Sequence, residues 1–210
     1  MLISDSHQFI FVHIRKAAGT SLRQLLEEVS LSKNNHIWYK FLWRSGFRAH
    51  YQKCYFRKHS PLSEAERVMP SDLFKKYYKF AIVRNPWDRL VSEYEYIKTQ
   101  PKHSRFKKLY TMDFKEYVIY QSKRQASYQV NALKLQNGQL GCDFIGRFEN
   151  LNDSITQISK NINIDLSRLP HLKKVQHRDY RTYYDDSLSE LVHNLWHKDI
   201  SAFGYNFSSP

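Results

Sequence analysis

Short apolar runs and helical periods alternate along the chain. The runs at Phe9–Ile14, Tyr78–Val83 and Asp143–Phe148 predict buried strands. Helical patterns lie between and after them. One spans Gly19–Val29, and a second spans Pro86–Lys98, with Asn85 as N-cap and Pro86 at the first helical position. Asp113 caps a third through Tyr120, and Asn150 or Asn152 starts a fourth through Ile162. Asp185 or Asp186 starts the last, which runs to about Ala202. Ser60-Pro61 can start a further helix. Strands alternating with helices predict an α/β fold built on a parallel sheet flanked by helices. No repeat or low-complexity linker interrupts it, so a single domain over 1–210 is expected. In such sheets ligands sit outside the carboxyl ends of the strands. Two basic turns, Arg15–Ser21 and Arg84–Asn85, fall at such ends.

The stretch from Trp38 to His59, "WYKFLWRSGFRAHYQKCYFRKH", departs from this pattern. Aromatic and basic residues interleave there with no clear period. Lys98–Lys108 and His171–Arg181 are also strongly basic. All three read as insertions and loops around a binding mouth rather than core, with 38–59 as an insert. Composition supports a globular chain: 41% of its 210 residues are hydrophobic and 15% aromatic. Charge adds more. Lys and Arg number 33 against 20 Asp and Glu, a net +13. That surplus implies a polyanionic partner, with a generally solvated basic surface as the alternative. The two cysteines, Cys54 and Cys142, have no paired spacing, which fits a reducing compartment and argues against a zinc site. No apolar run approaches the roughly 18 residues of a membrane span, and no signal peptide is expected.

The first basic turn, in "FIFVHIRKAAGTSLRQLL", joins a strand to a helix. Helix N-termini carry unpaired N–H groups and partial positive charge, so an anion is expected there. Gly19 permits close approach to the backbone, Thr20 and Ser21 add hydroxyls, and Lys16 adds a mobile charge. The alternative is that Gly19 merely eases a tight turn. The loop is not the longer glycine-rich loop ending in Gly-Lys-Ser/Thr, so a nucleotide kinase is only a runner-up for the fold. In the second turn, "FAIVRNPWDRLVSEY", Arg84 can pair with a phosphate and Ser92 can donate from the helix face. The alternative makes Arg84 a salt-bridge partner of Asp88 and Ser92 an ordinary small helix residue.

Together the two turns resemble the sulfotransferases that use 3′-phosphoadenosine 5′-phosphosulfate (PAPS). "FVHIRKAAGTSL" is similar to that family's 5′-phosphosulfate loop and "FAIVRNPWDRLVSEY" to its 3′-phosphate motif. The resemblance is closest to the carbohydrate branch. It continues through "DFIGRFENL" and "YYDDSLSELVHNLWHKDISAFGYNF". Arg15 departs from it, because many relatives carry proline there.

The resemblance implies sulfuryl transfer without a metal, leaving adenosine 3′,5′-bisphosphate (PAP). It implies a 5′ subsite of Arg15, Lys16, Ala18, Gly19, Thr20 and Ser21, with Lys16 also catalytic, and a 3′-phosphate subsite of Arg84 and Ser92. Lys173, Lys174 and Arg178 are candidates to close over the cofactor, against a reading as solvated loop charges. Gln125 and Tyr128 fall where relatives place acceptor- or cofactor-side residues, and Glu149 is read as structural. His59 is the candidate base, because relatives place a histidine or glutamate in this region. His50 competes, and the alternative makes both of them surface histidines. His50 and Arg57 are further acceptor-side candidates, whereas His13 is expected to be a satisfied core residue. The expected acceptor is an anionic saccharide, with no nucleic acid and no membrane span. A basic nucleic-acid-binding module and an inactive nucleotide-binding family member are the alternatives. The expected location is the cytoplasm of a bacterium, or else the lumen as a fragment of an anchored enzyme. Nothing in the sequence gives the oligomeric state.

Overall fold

The computed structural model describes residues 1–31, 51–53, 56–123, 128–167 and 178–208. They form an α/β fold with a mixed four-stranded sheet flanked by helices. Two compact units are present, Met1–Val83 with Gln129–Pro170, and Arg84–Tyr128 with His171–Pro210.

The first unit holds the whole sheet, in the order β1 (Leu2–Ser4), β2 (Phe9–Val12), β3 (Tyr78–Val83) and β4 (Phe144–Arg147). β2, β3 and β4 run parallel, as expected for strands joined by helical crossovers. β1 pairs antiparallel with β2, Leu2 opposite Phe11. This edge strand was not foreseen, because three residues are too few to show a period. β2 is apolar on both faces and fully buried, and β3 nearly so, apart from Lys79, which is buried at 6% exposure and paired with Asp143 at 3.0 Å. Phe80 stacks on Phe11 at 5.3 Å and tilts against Phe9 at 5.7 Å.

β2 ends two residues before its expected limit. His13 and Ile14 remain buried at 3% and 4% exposure but have left the ladder. The helix Gly19–Leu26 follows and tightens into a 3₁₀ turn at Glu27–Val29. The helix Leu62–Val68 begins after Pro61, whose neighbour Ser60 accepts from the backbone N–H of Arg57 through its hydroxyl at 2.9 Å. Leu151–Ile162 starts from Asn150 rather than Asn152 and packs on β3 and β4. Gly146 permits this approach, since a Cβ there would lie 2.8 Å from the Ser154 side chain. Most of the 38–59 insert lies outside the described residues. Within it Tyr51 is buried at 3% exposure and donates to Asp5 at 3.1 Å, beside Tyr77, which donates to Asp5 at 2.6 Å. Tyr51 therefore belongs to the core, whereas Gln52 and Arg57, Lys58 and His59 are exposed.

The second unit is helical. Pro86–Lys98 has the expected bounds, and the Asn85 side chain accepts from Trp87 N–H at 3.0 Å. Phe114–Ser122 carries a full capping box, with Glu116 N–H donating to Asp113 at 2.8 Å and Asp113 N–H to Glu116 at 2.9 Å. The last expected helix is two, Asp186–Leu195 and His197–Phe203, broken at Trp196. The break turns Asp199, Ile200 and Phe203 inward, and the fully buried Asp199 faces Arg89 at 3.8 Å. Among the described residues no helix is long and apolar enough to cross a membrane.

Candidate active site

The turn leaving β2 has an unusual backbone. Lys16 and Ala18 both adopt left-handed conformations, with φ 64° and 59°. Neither residue favours that region, and each such placement costs about 1–3 kcal/mol and persists only where its surroundings enforce it. Backbone turned this way directs N–H groups into a concavity suited to an anion. Ala18 is the N-cap of Gly19–Leu26, yet no side chain caps this helix and its first turn holds no acidic residue. Its first N–H groups thus keep their partial positive charge.

Gly19 has a packing role that its sequence context did not reveal. A Cβ there would lie 2.0 Å from His13 Cδ2 and 2.3 Å from Nε2. The imidazole therefore fills the side of Gly19 that any larger residue would need. His13 also stacks on Phe11 at 5.9 Å. Its Nδ1 is buried without a hydrogen-bond partner among the described residues, so the expected satisfied core histidine is core but not satisfied. Burial, with smaller contributions from His59 and Lys58, pushes the His13 pKa down to about 2.

This shift has a consequence for stability. Between pH 6.5 and 2 the unfolded chain binds a proton at His13 and the folded chain does not. Stability therefore rises with pH across that window and is lost on acidification, with a slope of up to about 1.4 kcal/mol per pH unit. His13→Phe keeps a ring against Gly19 and removes the titration. Urea midpoints measured from pH 6.5 to 4.5 should fall less steeply in the variant than in the wild type. Equal slopes would show that His13 titrates normally in the folded protein.

His59 lies beside this turn. Its ring is 4.8 Å from that of His13, and its Nδ1 bonds to the His13 carbonyl at 2.9 Å. A carbonyl only accepts, so Nδ1 carries the hydrogen and Nε2 holds the lone pair. The residue as a whole is exposed, but the bonded ring edge is shielded against the chain at β2. Burial lowers the His59 pKa, the bond to His13 opposes this, and Arg15 and Lys58 lower it further. The imidazole is neutral at physiological pH with a fixed tautomer, the state a general base requires. Lys58, which the sequence reading passed over, donates from Nζ to Thr20 Oγ1 at 3.5 Å.

In the second unit, Arg84 is buried at 6% exposure and pairs with Asp88. Nε and Nη2 both reach Asp88 Oδ2, at 2.8 and 2.7 Å. The salt bridge weighed from sequence is therefore formed. It uses two of the five guanidinium N–H donors. Ser92 is buried at 3% exposure, two turns along the same helix. Asn85 fixes the start of this helix to the C-terminal segment, donating to Asn206 O at 3.2 Å and Tyr180 Oη at 3.4 Å.

Residues 1–206 match the profile of the sulfotransferase family. The chain belongs to that family. Over 96 residues it is 35% identical to an uncharacterized protein of Archaeoglobus fulgidus, covering 44% of this chain and 72% of that relative. It is also similar to a mouse sulfotransferase whose crystal structure is a complex with PAP, at 12% identity and a TM-score of 0.44, over 94% of this chain and 86% of that one. Membership rests on the sequence match across the chain.

The other expected site residues of this family member are scattered. Thr20 and Arg15 are exposed, and Ser21 is half-buried beside the turn. Arg57 is exposed one residue before Lys58. Tyr128 uses its hydroxyl on the Leu195 carbonyl at 2.9 Å, and Lys198 lies 5.2 Å from its ring. Its polar atom thus completes a helix end. Arg178 is exposed and acts electrostatically on Tyr183, whose phenol is pushed up to about 12, chiefly by burial and by its 3.0 Å bond to Glu95. His50, Gln125, Lys173 and Lys174 lie outside the described residues. Cys142 is free, and burial and Asp143 push its thiol up to about 12, so it is inert near neutrality. No group of three or more His, Cys, Asp or Glu gathers among the described residues.

Proposed function

We propose that this sulfotransferase moves a sulfuryl group from PAPS to a hydroxyl, or an amine, of an acidic carbohydrate. The observation that carries the reading is the uncapped, left-handed turn at the end of β2, placed beside a tautomer-fixed histidine in a chain of this family. An uncapped helix start that follows Arg15 and Lys16, with no acidic residue in its first turn, fits a phosphosulfate end.

The donor, when bound, supplies the sulfuryl group and leaves as PAP. Lys16, Ala18, Gly19, Thr20 and Ser21 hold its 5′ end, with Arg15 beside them. Arg84 and Ser92 hold the 3′-phosphate, which lies away from the chemistry and positions the nucleotide. Lys173, Lys174 and Arg178 are assigned to covering it. Negative charge grows on the oxygen between sulfur and the 5′-phosphate as that bond breaks, and the Lys16 ammonium meets it. His59 Nε2 takes the acceptor proton as the new oxygen–sulfur bond forms. An inactive nucleotide binder would have no use for a neutral imidazole held in one tautomer.

The first test is thermal. PAP should stabilise the fold in the presence of a chelator, by about 2.7 kcal/mol at 100 times its dissociation constant. An unchanged melting temperature, or a strict magnesium requirement, would count against the reading.

A further inference from the structure

The segment carrying His59 meets the β2 turn at two points. His59 bonds to the His13 carbonyl, and one residue earlier Lys58 reaches Thr20 Oγ1 at 3.5 Å. A hydroxyl at that distance is a weak partner for an ammonium with three donors. Among the described residues Lys58 has no carboxylate in ion-pair contact. Glu27 acts on it electrostatically, but that carboxylate is bonded to Arg23 at 2.8 Å. Arg23 and Arg15 also act on Lys58 as like charges, next to a helix start that adds further positive potential. Lys58 is nonetheless exposed, so its charge is available to a ligand.

We propose that Lys58 is a specificity-determining residue that pairs with an anionic group, a carboxylate or sulfate, on the acceptor sugar presenting its hydroxyl to His59. The inference rests on the proposed sulfuryl transfer with His59 as base. Two features favour the acceptor over the donor as the source of the anion. Lys58 and His59 are consecutive, so cation and base are offered together to one sugar unit carrying both a hydroxyl and an anion. The donor's 5′ end already has Lys16 and the helix N–H groups. A neutral sugar bound there would give the Lys58 ammonium no anionic partner, which disfavours it by charge rather than by shape.

The test compares wild type, Lys58→Met and Lys58→Arg on a matched pair of saccharides, one neutral and one bearing a carboxylate, at low salt. Lys58→Met should raise KM for the carboxylate sugar about tenfold, the effect of losing one charge-assisted contact at an exposed site. The preference for the anionic sugar should fall by the same factor, and Lys58→Arg should restore most of it. The PAP melting shift, measured on the same three proteins, should persist. An equal KM change for both sugars, or a rise in donor KM in place of acceptor KM, overturns the assignment; the latter would give Lys58 to the sulfuryl end of the donor. Failure of the wild type to bind PAP or transfer sulfate would instead refute the proposed function, and this inference with it.

Discussion

Replacing His59 with alanine is expected to lower kcat by about 100- to 10,000-fold and to leave PAP binding nearly unchanged. That range is what a positioned general base contributes. His59 is suited to the role by an arrangement rather than by its identity alone. The His13 carbonyl fixes hydrogen on Nδ1, which leaves Nε2 as the proton acceptor. Burial, Arg15 and Lys58 hold its pKa below the usual histidine value of 6.5. The imidazole is then unprotonated at neutral pH, and activity is lost only as pH falls below that value. In the wild type kcat should rise with pH on an acid limb below 6.5 and then level off, and that limb should disappear in His59→Ala. A variant with near-normal kcat, or an acid limb that survives the substitution, would move the base elsewhere.

Replacing Lys16 with alanine is expected to lower kcat by about 100- to 1,000-fold, the usual cost of removing a donor aimed at developing charge. Binding of PAP should weaken far less, because the product nucleotide lacks the bond whose cleavage creates that charge. The backbone adds a second expectation. Lys16 is held at φ 64°, a conformation alanine tolerates no better, so the variant keeps any backbone cost and loses only the ammonium. Melting temperature should therefore change little while turnover collapses. Intact turnover in Lys16→Ala would remove the turn from the chemistry.

The sequence made the interior of the fold readable where the signal was continuous. Tyr78–Val83 and Pro86–Lys98 form with the expected bounds, because a fully buried parallel strand and an Asn-Pro-capped helix each carry a strong local signature. Asp113 and Asp185 cap as expected for the same reason. The short edge strand Leu2–Ser4 and the break at Trp196 were not readable. One is fixed by pairing with β2, the other by inward placement of Asp199 against Arg89, and both are tertiary effects.

The candidate site divides in the same way. Lys16, Gly19 and Arg84 stand out in sequence as charged or small residues in the turns that follow strands, and Ser92 only by its place on the helix after Arg84. The left-handed Ala18 does not, since alanine gives no sign of that conformation. The link from Gly19 to His13 is a packing relation across the turn and needs three dimensions to see. Lys58 was hidden by its setting among many other basic residues, and only its approach to Thr20 separates it from them. Tyr128 shows the opposite case, a residue prominent by family position whose hydroxyl is committed to a helix end.

The most direct test of sulfuryl transfer from PAPS follows an isotopically labelled sulfate group from donor to product, with a chelator present and a panel of neutral and acidic saccharides as acceptors. The account predicts label in an acidic saccharide, one PAP released per sulfate transferred, and loss of both in His59→Ala and Lys16→Ala. Label that stays on the donor with every acceptor, or transfer that persists undiminished in both variants, would contradict it.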